Sequence, residues 1–205
     1  MPKETPREKV DWNVKWAELH QAIGAAVSAW SSLEHALAKA FATTLGLPLD
    51  RAERMFFTLY TFNAKRGLLR EAIQSNPIEK GIEATRLSIF KSACKKAERY
   101  APTRNKIAHS RPVIAAKGSI VLGGVIAPNF MSDDVKATLD QTITVKAINE
   151  ARDSFRILAR LVKQACEEQD PASLDKLLQQ VRSLAPIPYS DSLGLRAAST
   201  HKPSP

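Results

Sequence analysis

Apolar residues recur along most of this chain in steps of three and four, the rhythm of helices that turn one stripe toward a shared core. The longest run covers residues 14–45, where Trp16, Leu19, Ile23, Ala26, Trp30, Leu33, Leu37, Ala40 and Thr44 keep that spacing unbroken. Gly46 and Pro48 end it, because glycine takes the left-handed cap conformation and proline cannot continue a helix. A second helix is predicted from an Asp50 cap to about residue 75, with Met55, Phe56, Leu59, Phe62, Leu69 and Ile73 on its apolar side. Asn76-Pro77 breaks it. A third reaches about residue 100 on Ile82, Leu87, Phe90, Ala93, Cys94 and Ala97.

Beyond residue 100 the rhythm changes. Pro102 and Pro112 bracket a segment expected to form a short helix of its own, or the kinked end of the third helix. In the first case Arg104 would sit near a helix N-terminus, where free N–H groups favour an anion. Val113-Ile114-Ala115-Ala116, Lys117-Gly118-Ser119 and Ile120-Val121-Leu122 then read as a short β-hairpin, and the Gly123-Gly124 pair belongs with it. Residues 126–142 are expected to be irregular, with one helical turn at 133–139. Thr144 can cap a further helix to about residue 168, with Ile148, Phe155, Leu158, Leu161, Val162 and Ala165 inward. A last amphipathic helix spans about 172–184 on Leu174, Leu177, Leu178, Val181 and Leu184. These elements predict an all-α fold, an antiparallel bundle of about five helices with a small β-hairpin insertion. One domain, 14–184, is expected between a flexible 1–13 segment and a flexible proline-containing tail, 185–205.

Composition fits one buried core: 205 residues, 44% hydrophobic and 25% charged. The charge is unevenly placed. Residues 51–111 hold fourteen Lys/Arg against five Asp/Glu, so the whole net charge of +9 lies there and the rest of the chain is balanced. Such asymmetry points to a polyanionic partner. Cys94 and Cys166 are isolated in sequence, as free thiols of a reducing compartment are. The first residues lack the apolar core of a secretory signal, and no apolar run is long enough to span a membrane, so a cytoplasmic protein without membrane partners is expected. No phosphate loop, dinucleotide fingerprint or metal-ligand spacing occurs, so neither cofactor nor metal is expected. His20 and His35 have no ligand partners at a useful spacing, and His35 faces away from the apolar seam.

The chemistry concentrates in Arg104-Asn105-Lys106-Ile107-Ala108-His109-Ser110. An arginine offers a fixed fork of donors for a phosphate, and a histidine can trade protons near neutral pH. Five residues along one helix separate two side chains by about 140° and about 7.5 Å. A single helix therefore does not stack Arg104 and His109 on one face, which favours a break near the motif or a site completed across a dimer axis.

The segment resembles the signature of the HEPN superfamily, Arg-Asn-x-Ile-Ala-His followed by a small residue, matched by Arg104, Asn105, Ile107, Ala108, His109 and Ser110. The surroundings are similar too: a long first helix with Trp30, Leu33 and Glu34, then a helix with Phe62 and Lys65, and a hairpin and long helix after the motif. The likeness covers roughly residues 14–168. It implies a helical bundle that dimerises and brings two motifs together in a cleft. Active members resemble metal-independent endoribonucleases that leave a 2′,3′-cyclic phosphate and a 5′-hydroxyl, and toxins and phage-defence components are among them. Others are inactive modules that bind RNA, a nucleotide or a protein. The resemblance thus implies RNA as ligand, a homodimer, and an antitoxin or other regulatory protein as a further partner. It assigns Arg104, Asn105 and His109 to catalysis. Toxins controlled by a nucleotidyltransferase antitoxin carry tyrosine two positions after the histidine; here Arg111 stands there, which argues against that control.

Four other cations, Lys65, Arg66, Lys106 and Arg111, are candidates to bind RNA. Lys65 and Arg66 lie between Phe62 and Leu69 and can reach a cleft or extend to solvent. Glu34 shares a stripe with His20, Val27 and Phe41 beside the seam. A carboxylate placed there needs a cation. Arg104 or Lys65 would make it an orienting residue, whereas Lys39 would make it a rim ion pair.

Overall fold

Asp11 starts the first helix by accepting a hydrogen bond from the Asn13 backbone N–H at 2.9 Å. This helix, α1 (Trp12–Leu45), ends at Gly46, whose φ of 64° lies in the left-handed region. The computed structural model describes residues 11–76, 80–117, 120–127 and 143–187. Along α1 the expected seam is buried from Leu19 to Thr44, with Ile23 half-buried. It lapses at Trp16, which is 37% exposed and packs on the His20 ring.

The second predicted helix is two helices. Its apolar spacing continues through residues 58–61, but the backbone breaks there. α2 (Leu49–Phe57) opens on Pro48 rather than on an Asp50 cap, with Asp50 in its first turn, and α3 (Phe62–Gln74) opens on Thr61. Hydroxyls fix the break: Thr58 donates to the Arg54 carbonyl at 2.7 Å, and Thr61 accepts from the Ala64 N–H at 3.2 Å. Met55, expected inward, is exposed.

α4 (Ile82–His109) continues through Pro102, so the motif forms the end of this helix, the second of the two expectations, and Arg104 is not at an N-terminus. Proline forfeits one donor and crowds the carbonyl four residues back. Here Pro102 and Glu98 both lie on the exposed face, where water can serve the released carbonyl. Ser110 then turns the chain into β1 (Arg111–Lys117).

β1 pairs antiparallel with β2 (Ile120–Ala127), from Arg111 opposite Ala127 to Lys117 opposite Ile120, with a bulge between Ala115 and Ala116. A third strand, β3 (Ile143–Thr144), joins β2 and completes the order β1-β2-β3. The expected hairpin is therefore the core of a small three-stranded sheet. The predicted turn at 133–139 lies outside the described residues. Thr144 caps α5 (Val145–Glu167), accepting from the Ala147 N–H at 3.3 Å, and Asp170 caps α6 (Pro171–Ser183). All six apolar residues assigned inward on α5 are buried.

The result is an all-α bundle with a small antiparallel sheet, its core built where α1 packs along α5 and α4 packs against α1, α5 and α6. Trp30 lies near the centre, 2% exposed, with Phe62 and Phe155 edge-on at 4.8 and 5.1 Å between ring centroids. The start of the expected tail is docked: Ile187 is buried, and the Tyr100 hydroxyl donates to the Ala185 carbonyl at 3.1 Å. No helix among the described residues is long and apolar enough to cross a membrane.

Candidate functional site

The motif occupies the last two turns of α4. Ile107 is buried and anchors the turn, while Asn105 and His109 are exposed and Arg104 and Lys106 are half-buried. Arg104 lies at the edge of the buried stripe of α4, so its side chain crosses to α1 and its guanidinium carbon sits 5.8 Å from the centre of the Trp30 ring. One terminal nitrogen donates to the Asn105 side-chain oxygen at 3.0 Å. Its Nε–H is buried and meets no acceptor among the described residues, and the neighbouring Thr103 hydroxyl is in the same condition. Buried donors are normally satisfied, so these two polar atoms stand out beside the motif.

Behind Arg104 stands a chain of polar contacts. The Trp30 indole N–H donates to Glu34 Oε1 at 2.8 Å, and the Lys65 ammonium donates to Glu34 Oε2 at 2.7 Å. The two side chains of that ion pair are only 12% and 10% exposed. Lys65 also lies 4.7 Å from the centre of the Phe57 ring. Of the partners weighed for Glu34, Lys65 is the one it meets, while Lys39 pairs with Glu167 on α5. Lys65 is itself buried, so its charge faces Glu34 and Phe57 rather than a ligand. The link to Arg104 passes through Trp30. Indole donors usually find a partner when buried, so a tryptophan four residues before a carboxylate on one helix was the signal for this contact.

The remaining candidates are dispersed. Arg66 bonds Glu98 on α4, and its Nε–H is buried without an acceptor among the described residues. Burial holds the Lys106 ammonium below the ordinary lysine range. Arg111, exposed, begins β1 two residues after His109. The structure therefore groups Arg104, Asn105, Lys106, His109 and Arg111 at one end of α4 and places Lys65 behind them. His35 is exposed and donates to Glu53 at 3.1 Å, and His20 donates to the Trp16 carbonyl at 2.9 Å. Burial pushes the Cys94 thiol up to about 12 and raises that of Cys166, so neither is a ready thiolate. Among the described residues, no three His, Cys, Asp or Glu side chains gather in a way that could hold a metal ion.

One buried cation escaped the sequence reading. Arg86, 4% exposed, donates from Nε to the Ala165 carbonyl at 2.9 Å, reaches the Glu168 carbonyl and pairs with Glu83. It fastens the start of α4 to the end of α5. Arg86 and Lys65 thus belong to the framework, and the basic surface is carried by the other cations of residues 51–111. Comparison with models of protein families, with curated proteins and with solved structures finds no match.

Proposed function

We propose that this protein is a metal-independent endoribonuclease of the HEPN type, acting as a homodimer through Arg104, Asn105 and His109. The observation that carries the reading is the state of Arg104. Its guanidinium is held over Trp30 and oriented by Asn105, yet its Nε–H meets no acceptor among the described residues, beside an exposed histidine on the same helix. In the proposed reaction the His109 imidazole takes the proton of a ribose 2′-hydroxyl. The 2′-oxygen attacks phosphorus, the bond to the 5′-oxygen breaks, and the imidazolium returns its proton to the departing oxygen. A 2′,3′-cyclic phosphate and a 5′-hydroxyl remain. Arg104 neutralises the charge growing on the non-bridging oxygens.

The continuous helix supports the pairing of two chains. With α4 unbroken, Arg104 and His109 point about 140° apart, so one phosphate is better served by the arginine of one copy and the histidine of another. An RNA cleavage assay in EDTA tests the reading. His109→Ala is expected to slow cleavage by roughly 10²–10⁴-fold, the range for loss of a general base. Undiminished cleavage by the purified His109→Ala protein would remove His109 from the chemistry.

A further inference from the structure

The exposed side of α4 leads away from the motif to a second basic feature. Lys91, Lys95, Glu98, Pro102, Asn105 and His109 follow one another in steps of three and four, all exposed. Eighteen residues make five full turns, so Lys91 and His109 share one face of the helix. At the far end of this face, Arg66 and Arg70 from α3 and Lys91 and Lys95 from α4 line a cavity of about 250 Å³. Among the described residues Glu98 is the one carboxylate lining it, and Arg66 neutralises that group. Arg70 meets Glu71 at 3.3 Å, a pair 59% and 66% exposed and so weakened by solvent. Neither Lys91 nor Lys95 has a carboxylate partner among the described residues. The Arg66 Nε–H is buried with no acceptor among the described residues. Ile73 and Cys94 give the cavity an apolar wall.

With Arg66 and Glu98 cancelling, Arg70, Lys91 and Lys95 leave an excess of positive charge around so small a space, which favours an anion. The volume lies below the roughly 300–1,000 Å³ of pockets that enclose drug-sized ligands, which suits a single phosphate and part of its sugar. We propose that this cavity is a phosphate-binding subsite that holds a flanking nucleotide of the RNA whose scissile bond lies at Arg104 and His109. The choice of RNA rests on the ribonuclease reading. The choice of a phosphate rests on the cavity alone. From His109 back to Lys95 and Lys91 the helix rises about 21 to 27 Å. That is roughly six to eight stacked nucleotides at about 3.4 Å per phosphate.

Fluorescence anisotropy with catalytically silent His109→Ala protein, using single-stranded RNAs of roughly four and twelve nucleotides, tests the subsite. Lys91→Gln/Lys95→Gln is compared with Arg160→Gln/Lys163→Gln, which removes two exposed charges on α5 outside the cavity. Both carry the His109→Ala change, and thermal melts verify folding. The cavity variant is expected to lose about tenfold in affinity for the long RNA and little for the short one, with the α5 variant near the parent. In otherwise wild-type enzyme the same loss should appear in KM rather than kcat. Equal losses in both variants would overturn the subsite, and continued cleavage by wild type would leave the ribonuclease reading standing. Selective loss of affinity with no cleavage by wild type would keep the subsite and remove that reading. Absence of RNA binding would overturn both. Inorganic phosphate separates the sources: displacement of long RNA by equimolar free phosphate would overturn the assignment to a strand.

Discussion

Arg86 and Arg104 lie eighteen residues apart on one helix, hence at the same angle around its axis, and the protein treats them in opposite ways. Arg86 is satisfied in all directions: two carbonyls near the end of α5 and Glu83 take its donors. Arg104 is held more loosely, half-buried against a tryptophan face and bonded to one asparagine, and its Nε–H meets no acceptor among the described residues. A guanidinium whose acceptors are all protein groups is a fastener. One fixed mainly through its face is oriented and still has hydrogen bonds to give.

Exchanging the two losses gives the sharpest test of that contrast. Arg104→Ala is expected to reduce RNA cleavage by roughly 10²–10³-fold, as loss of one donor to a developing oxyanion does. Its stability should move by no more than about 1 kcal/mol, the scale of the cation–π contact removed. Arg86→Ala should do the reverse, since it leaves two carbonyls unpaired: about 3 kcal/mol of stability lost, with kcat retained below the melting transition. Urea denaturation and initial rates on the same preparations measure both. If Arg104→Ala unfolds the protein as Arg86→Ala does, the two arginines are both fasteners.

The sequence carried part of this contrast. Arg104 announced itself because Asn105 and His109 stand beside it at a recognisable spacing. Arg86 had no such company, and its partners are main-chain carbonyls about eighty residues away, which no local pattern encodes. The same division holds for the fold. Gly46 and Thr144 were readable because a cap acts within a few residues. The division of α2 from α3 was not, because the apolar spacing persists through it and the hydroxyls of Thr58 and Thr61 decide the matter. At Pro102 local chemistry left two readings, a separate short helix or the end of the third helix, and burial of Thr103 and Ile107 on the inner face goes with the second.

A smaller effect is expected at the support behind Arg104. Glu34→Gln keeps the acceptor for the Trp30 indole but leaves Lys65 buried without its counter-charge. Breaking a buried pair costs about 3–5 kcal/mol; with the residual exposure of both side chains, about 2–3 kcal/mol is expected here. That exceeds the loss expected of an exposed rim pair, roughly 0–1 kcal/mol. Adding Lys65→Met should restore much of the stability, since removing both charges removes the penalty. If Trp30 is what transmits the support, the double variant also recovers cleavage. Recovery of stability without recovery of cleavage would show that the charge of Glu34 itself matters at the site.

The mildest perturbation separates the two ends of the motif. Arg104 is positioned by α1 through Trp30, whereas His109, the last residue of α4, is followed within two residues by β1 and lies nearer the sheet. The sheet rests on α1 through Gly124, where a Cβ would come within 2.9 Å of the Leu19 Cβ. Gly124→Ala must therefore push β2 away from α1, at a cost of about 1–3 kcal/mol typical of an overpacked contact. The shift is expected to pass to β1, which pairs with β2, and through Ser110 more to His109 than to Arg104, which packs on its tryptophan. RNA affinity should stay near wild type while turnover falls several-fold, as a misplaced proton acceptor requires. Equal losses in affinity and turnover would mean that the sheet positions Arg104 as well, and that the two residues move as one unit.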